Sequence, residues 1–145
     1  ELAKLAHEVA GIDEHETSRE PQNRRARGQW FSPYVASAEQ RDWVLFRDME
    51  VDPARAATRG EVLVTLLQAI DIALAWPKGE MFRDVSRTTL YADAIETAAA
   101  DGVVSGSTDT HGNPTGLFNP TAPVNRAEIA KILSLVMEVY LGIKP

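Results

Sequence analysis

The 145-residue sequence carries 15 basic and 21 acidic side chains, and its net charge of −6 argues against a duplex nucleic-acid binder, which needs a basic surface. It contains no cysteine, so disulfides and thiolate metal sites are excluded. Hydrophobic residues make up 44% of the chain, and no apolar run reaches the roughly 18 to 20 residues of a membrane span. We therefore expect one folded domain over residues 1–145, with no nucleic-acid partner and no membrane span.

The first predicted element is a helix over residues 1–11. Its apolar side chains recur at the spacing of one helix face, and Gly11 supplies a stop. These side chains are Leu2, Leu5, Ala6 and Val9. Residues 12–28 lack an apolar period and are predicted to form a polar linker. The basic cluster in this linker, from Arg24 to Arg27, is expected to be a solvated loop, with a local anion contact as the alternative.

Two longer segments then repeat the order helix, loop and second helix. Residues 30–44 align without a gap on residues 90–104, and both segments lead through a loop to a capped helix. We place the first repeat at residues 30–74 and the second at residues 82–141. The first helix of the second repeat is alanine-rich and ends near Gly102, which is predicted to adopt positive φ.

The second helix of each repeat carries an apolar stripe with a period of 3.6 residues. The stripe consists of Val62, Leu66, Ala69, Ile70 and Ala73 in the first repeat, and of Ile129, Ile132, Leu133, Val136, Met137 and Tyr140 in the second. Three helices that each have one apolar face are most simply buried against one another. The sequence therefore predicts an all-α fold, with Phe31, Trp43 and Phe82 in the core.

Both second helices begin with a cap, an arginine, a small residue and a glutamate. The predicted N-caps are Thr58 and Asn125, and the glutamates that complete the capping boxes are Glu61 and Glu128. Capping does not explain Arg59 and Arg126, because a cation in the first helical turn is opposed by the helix dipole. Each arginine therefore needs a partner elsewhere. This partner is either a carboxylate or carbonyl of a neighbouring unit, or an anionic ligand held in the guanidinium fork.

Residues 82 to 139 resemble an S-layer homology motif. The stretch MFRDVSRTTLYADAIETAAADGVVSG and the later stretch FNPTAPVNRAEIAKIL supply an F-x-D-V opening, an aromatic helix start, a G-V-V-x-G turn and an F-x-P segment before an R-A-E helix start. The repeat at residues 30–74 keeps the aromatic start and the A-T-R-G-E helix, but it lacks the F-x-D-V opening and the glycine pair. Residues 1–11 resemble only the tail of another copy, so we expect a fragment of a longer protein, with any export signal upstream of Glu1.

The resemblance implies that three motifs, the first of them truncated, pack as a pseudo-threefold bundle. It implies a non-catalytic module at the extracellular surface of a bacterium, which anchors a surface protein by binding a cell-wall glycan or secondary cell-wall polymer in grooves between motifs. No cofactor is implied. By position, the ligand-binding candidates are Arg126, Arg59, Tyr91, Trp30, Asp84 and Gly106. The arginines would meet an anionic group and the aromatic rings would stack on sugars, whereas Asp84 has a structural role as its alternative.

Neither an enzyme nor a metal site is predicted. The histidines lack metal-binding spacing and are expected at the surface. They are His7, His15 and His111. No nucleophile elbow or phosphate-binding glycine loop occurs in the sequence. The loop at residues 107–118 offers Asp109 and Asn113 to calcium, but a single aspartate favours a plain turn. The alternative function is structural self-assembly of a surface layer or fibre, through contacts between identical chains.

Overall fold

The computed structural model describes residues 1–16 and 19–144 of the chain. Thr17 and Ser18 of the predicted linker, and Pro145, lie outside the described residues. Within the described ranges the regular structure is helical, with five α-helices, three short 3₁₀ helices and no β-strand. The α-helices are α1 (Leu2–Ala10), α2 (Ser32–Gln40), α3 (Arg59–Ala69), α4 (Ala92–Ala100) and α5 (Arg126–Leu141). The prediction of an all-α fold is confirmed.

The chain divides into two compact units. The first unit comprises Glu1–Ala56 and Val64–Ile72, and the second comprises Ala57–Leu63 and Ala73–Pro145. Helix α3 contributes residues to both units. The single domain over residues 1–145, with its repeats at residues 30–74 and 82–141, stays a prediction.

In the first unit, α1 packs on α2. The buried residues of α1 are Ala3, Ala6 and His7, which share one helix face. Those of α2 are Val35, Ala36, Ser37 and Ala38. Small side chains on both helices permit their close approach. Of the stripe predicted for α1, only Ala6 is buried. Trp43, which follows α2, is buried as predicted, whereas Phe31 is half-buried.

His7 is fully buried in the first unit, so the prediction that it is a surface residue is wrong. Its Nδ1–H donates to the Ala3 carbonyl at 2.6 Å, because a carbonyl can only accept. Its Nε2 lies 2.8 Å from the Ser37 hydroxyl, which receives a bond from Arg41 Nε at 3.4 Å and so keeps its own hydrogen for the imidazole. Trp43 lies against the ring, with the centroids 4.9 Å apart. Both nitrogens of a neutral His7 are therefore satisfied, as burial of a polar side chain requires.

We expect the protein to become less stable as the pH is lowered below about 6.5, the ordinary pKa of histidine. Burial lowers the pKa of His7 more strongly than its hydrogen bond to Ala3 raises it. The unfolded chain then binds the proton more tightly, so the free energy of unfolding decreases as the pH falls from the unfolded pKa through the folded one. Thermal melts at several pH values should show a shallower decrease for His7→Gln than for the parent. Equal slopes would contradict this role of His7.

Helix α3 is buried all round rather than along one stripe. Over its middle turns Val62, Leu63, Val64, Leu66 and Leu67 are each at most 2% exposed. A helix that is apolar on all sides is expected to be buried in this way. The helix ends at Ala69, and Asp71 follows with a φ of 58°. The predicted stripe therefore runs too far, since Ile70 and Ala73 lie beyond the helix.

Part of the predicted polar linker is anchored to α2. Both oxygens of Glu39 accept backbone N–H groups, from Gln22 at 2.8 Å and from Asn23 at 3.0 Å. The Asn23 side chain also donates to the Val51 carbonyl at 2.8 Å and accepts from the N–H of Arg25 at 3.0 Å. This segment is held mainly by polar contacts, so its sequence shows no apolar period. Its buried residues are Pro21, Asn23 and Ala26.

In the second unit, α4 is buried along most of its length. Ala94, Ile95 and Ala98 of α4 are fully buried. The F-x-D-V opening and the F-x-P segment meet at two aromatic rings, since the centroids of Phe82 and Phe118 lie 5.2 Å apart. Phe118 is fully buried, whereas Phe82, predicted in the core, is half-buried. Helix α5 buries two members of its predicted stripe, Ile132 and Val136.

Gly102 follows α4 with a φ of 80°, as predicted. The aligned position of the first repeat is Asp42, which keeps positive φ, at 57°, without a glycine. A Cβ atom on Gly102 would meet no heavy atom within 4 Å. Gly102→Ala should therefore cost backbone strain alone, about 1 kcal/mol of unfolding free energy. Urea unfolding measures this loss, and an unchanged midpoint would contradict it.

Candidate functional site

The segments that precede α3 and α5 run side by side within the second unit. Thr58 forms an antiparallel bridge with Pro123. The N–H of Arg59 donates to the Ala122 carbonyl at 3.0 Å, and the N–H of Gly60 donates to Pro120 at 3.0 Å. The two helix starts that the sequence repeats are therefore neighbours in space.

The two helix starts are capped by different sets of bonds. At α3, the N–H of Glu61 donates to Thr58 Oγ1 at 3.2 Å, and Glu61 Oε1 accepts from the N–H of Thr58 at 2.9 Å. This reciprocal pair is a capping box. At α5, Asn125 Oδ1 accepts from the N–H of Glu128 at 2.9 Å. The Glu128 carboxylate accepts instead from Arg59 of the other helix start.

Arg59 is bound inside the second unit. Its Nη1 donates to Glu128 Oε2 at 3.0 Å and its Nε donates to the Phe118 carbonyl at 3.0 Å. Its guanidinium carbon lies 4.6 Å from the centroid of the Phe118 ring, within the range of a cation–π contact. The side chain is only 18% exposed. The sequence left open whether Arg59 pairs with a group of the protein or with an anionic ligand. In the structure it pairs with groups of the protein.

Arg126 is in a different situation. It is the first residue of α5, directly after the Asn125 cap, and it is exposed. Among residues 1–16 and 19–144, no carboxylate or carbonyl pairs with its side chain. The same sequence position therefore presents a bound guanidinium in one helix and an unpaired guanidinium in the other.

A groove of about 480 Å³ lies beside Arg59 and is lined by Arg59, residues 102–108, Glu128, Lys131, Ile132 and Leu135. We call it the α5 groove. The charges of Arg59 and Glu128 offset one another in their ion pair. Lys131 is exposed and has no partner in the described part of the chain, so it gives the groove its unpaired positive charge. Sequence reasoning missed Lys131, although its position three residues after Glu128 places both on one face of α5.

Gly106 and Asp84 both make close contacts with residues 117–119. A Cβ atom on Gly106 would lie 3.0 Å from the Leu117 carbonyl and 3.1 Å from the Phe82 ring, so only glycine fits without displacing its neighbours. Asp84 accepts two backbone N–H groups, from Phe118 and Asn119, both at 2.8 Å. Both Asp84 oxygens are thereby engaged in holding the F-x-P segment, and Gly106 lines the α5 groove.

The aromatic candidates lie outside the α5 groove. Tyr91 has a φ of 63° at the N-cap position of α4, and it lines a second groove. Trp30 belongs to the first unit and is 60% exposed, with its ring 5.4 Å from Phe31 and 6.4 Å from Tyr34. Lys4 lies 5.9 Å from the Trp30 ring centroid. The structure therefore brings Arg59, Gly106 and Glu128 to one groove, whereas Arg126, Tyr91, Trp30 and Asp84 do not line it.

The loop at residues 107–118 forms a turn around Asp109. Asp109 Oδ1 accepts from the N–H groups of His111 at 2.8 Å and Asn113 at 2.9 Å. Across the described ranges, no cluster of three or more histidine, cysteine, aspartate or glutamate side chains could hold a metal ion. No helix in those ranges is both long and apolar enough to cross a membrane. His15 and His111 are exposed, as predicted.

Residues 82–130 match the family model of the S-layer homology domain. No curated protein matches the chain. The match confirms the predicted resemblance over these residues, which include α4, the turn-rich loop, the Asn125 cap and Arg126. The S-layer homology domain is a family of binding and anchoring modules of bacterial cell-surface proteins, and it is not an enzyme family.

Proposed function

Because residues 82–130 carry an S-layer homology domain, a cell-surface anchoring module, we propose that this protein holds a larger surface protein to the bacterial envelope by binding an anionic cell-wall glycan or secondary cell-wall polymer. The observation that carries the proposal is Arg126. It is exposed within the matched segment, and no partner in the described part of the chain uses its charge. The pseudo-threefold packing of three motifs belongs to the same proposal.

Unpaired cations supply the attraction to the polymer. The whole chain has a net charge of −6, so an anionic polymer gains nothing from the overall field of the protein. The Arg126 guanidinium offers a planar fork that matches a carboxylate or phosphate in bidentate geometry. Lys131 offers a second positive charge in the α5 groove. We propose that Arg126 and Lys131 contact anionic groups on the polymer.

Arg59 has a positioning role in this proposal. Its bonds to Phe118 and Glu128 join the F-x-P segment to both helix starts. An anion that bound Arg59 would have to compete with the Glu128 carboxylate already in place. We propose that Arg59 maintains the α5 groove and the approach of the two helix starts, and that it contributes less than Arg126 to the attraction of the polymer.

Binding should depend on salt, because exposed charges are screened within a Debye length of about 8 to 10 Å at ordinary ionic strength. Co-sedimentation with isolated bacterial cell-wall polymer should therefore weaken steadily as sodium chloride is raised. The same polymer should bind less well after its phosphates are removed and its carboxyl groups are reduced. No binding to the native polymer at low salt would contradict the proposed function.

Self-association is the second candidate function. It is supported by exposed apolar side chains at and beyond the end of α5, namely Val139, Leu141 and Ile143. Exposed apolar side chains can pair with a second copy of the chain. Sedimentation velocity over a range of concentrations distinguishes the two functions. A protein that stays monomeric while it binds polymer leaves the assembly function without support.

A further inference from the structure

Trp76 lies in a groove of about 760 Å³ that is lined by residues 74–77 and 87–93, and we call it the Trp76 groove. Trp76 is 94% exposed, and Leu90 in the facing wall is 71% exposed. No other ring or cation of the described residues lies against the Trp76 indole. Trp30 and Trp43, by contrast, both contact neighbouring rings. Exposed apolar side chains that share one groove indicate a binding surface.

The backbone on both sides of Trp76 is fixed to α4. The Thr97 hydroxyl accepts from the N–H of Ala75 at 3.0 Å. The two oxygens of Glu96 accept from the N–H groups of Lys78 and Gly79, at 2.8 and 2.9 Å. Glu96 and Thr97 are themselves buried. The exposed indole therefore projects from a segment that is already held in place, so a ligand need not order it.

The opposite wall is joined to the same segment. A Cβ atom on Gly79, which has a φ of 74°, would lie 2.9 Å from the backbone nitrogen of Arg87, so only glycine permits this approach. Arg87 Nε also donates to the Lys78 carbonyl at 3.2 Å. Arg87 is thus held against the segment that follows Trp76, beside the groove. A preformed groove of this volume is within the usual range of small-molecule sites, about 300 to 1,000 Å³.

We infer that the Trp76 groove binds a neutral sugar ring of the wall polymer, an inference that rests on the proposed function. The groove contains one cation, Arg87, and one anion, Asp93, so its charge does not favour an anionic occupant. The indole and Leu90 offer a flat apolar surface for the C–H face of a pyranose. Asp93 binds its own helix through Oδ1 alone, at 2.7 Å to the N–H of Ala94, which leaves Oδ2 to accept from a sugar hydroxyl.

Trp76→Ala tests the inference in co-sedimentation with two probes, native wall polymer and the same polymer after removal of its charged groups. We expect roughly tenfold weaker binding to both probes, since the lost stacking does not depend on charge. Trp76→Phe should retain most of the binding, because it keeps an aromatic face. Unchanged binding of Trp76→Ala to both probes would overturn the inference, and so would a loss confined to the native polymer.

Failure of this inference is distinguishable from failure of the proposed function. If the parent protein binds polymer and Trp76→Ala binds equally well, only the Trp76 groove is excluded as a sugar site. If the parent binds neither probe, both proposals fail. Sedimentation velocity tests whether a second copy of the chain occupies the groove instead. If the parent is a dimer, and Trp76→Ala abolishes the dimer but leaves polymer binding intact, the groove makes protein contacts. Polymer should also protect the fluorescence of a Trp30→Phe variant, in which Trp76 is the exposed tryptophan and Trp43 is buried, from iodide quenching.

Discussion

Replacing Arg126 by alanine is expected to weaken binding to isolated wall polymer roughly 10- to 100-fold, the loss that corresponds to one or two charge-assisted hydrogen bonds. The folded protein should be unaffected, because the Arg126 side chain makes no bond within the described part of the chain. Its removal even relieves a mild opposition from the dipole at the start of α5. Co-sedimentation measures the affinity, and circular dichroism with thermal melting measures the fold.

Arg24→Ala is the matched control for Arg126→Ala. Arg24 is also exposed and also without a partner in the described ranges, so its loss changes the net charge equally. Arg126→Lys should bind with intermediate affinity, since it keeps the charge and loses the planar fork. Equal losses for the Arg24 and Arg126 variants would show a general charge effect. A lowered melting temperature of Arg126→Ala would show instead that the arginine is structural.

Arg59→Ala is expected to lower the free energy of unfolding by about 2 kcal/mol or more. The change removes the donors to Glu128 Oε2 and to the Phe118 carbonyl together with the contact on the Phe118 ring. It leaves the partly buried Glu128 carboxylate without its cation. Urea unfolding measures this loss of stability. Polymer binding by Arg59→Ala should weaken only to the extent that the loss of Arg59 distorts the α5 groove.

Arg47→Ala is the matched control for Arg59→Ala. Arg47 makes a bidentate pair with Asp42, with distances of 2.9 and 2.8 Å, but both side chains are mostly exposed. Exposed pairs are worth roughly 0 to 1 kcal/mol, so this variant should lose little stability. If Arg59→Ala loses no more stability than Arg47→Ala, the positioning role of Arg59 is wrong.

The sequence identified both arginines as unexplained by capping, but it could not separate them. Their local patterns are equivalent, and the difference comes from Glu128, which lies beside Arg59 because the segments before the two helices pair. Pairing between segments so distant in the chain depends on how the intervening loops fold. The periodicity of α3 and α5 does not contain that information, so the internal partner of Arg59 could not be predicted.

Local backbone geometry was predictable where one residue determines it. Gly11 and Gly102 both take positive φ at the predicted helix ends, since glycine adopts this conformation without steric cost. The burial of His7 was not predictable, because it depends on Ser37 in α2 and on Arg41 at the end of that helix. The exposure of Trp76 was not predictable either. A tryptophan is usually largely buried, and the sequence of a connecting segment does not show which residues pack against it.

A double cycle measures whether Arg126 meets an anionic group: it compares the binding of the parent and of Arg126→Ala to native and charge-depleted wall polymer. We expect Arg126→Ala to bind the native polymer at least tenfold more weakly than the parent does, and we expect both proteins to bind the charge-depleted polymer equally. An equal loss on both polymers would contradict the claim that Arg126 meets an anionic group, and no loss on either would exclude Arg126 from the binding site.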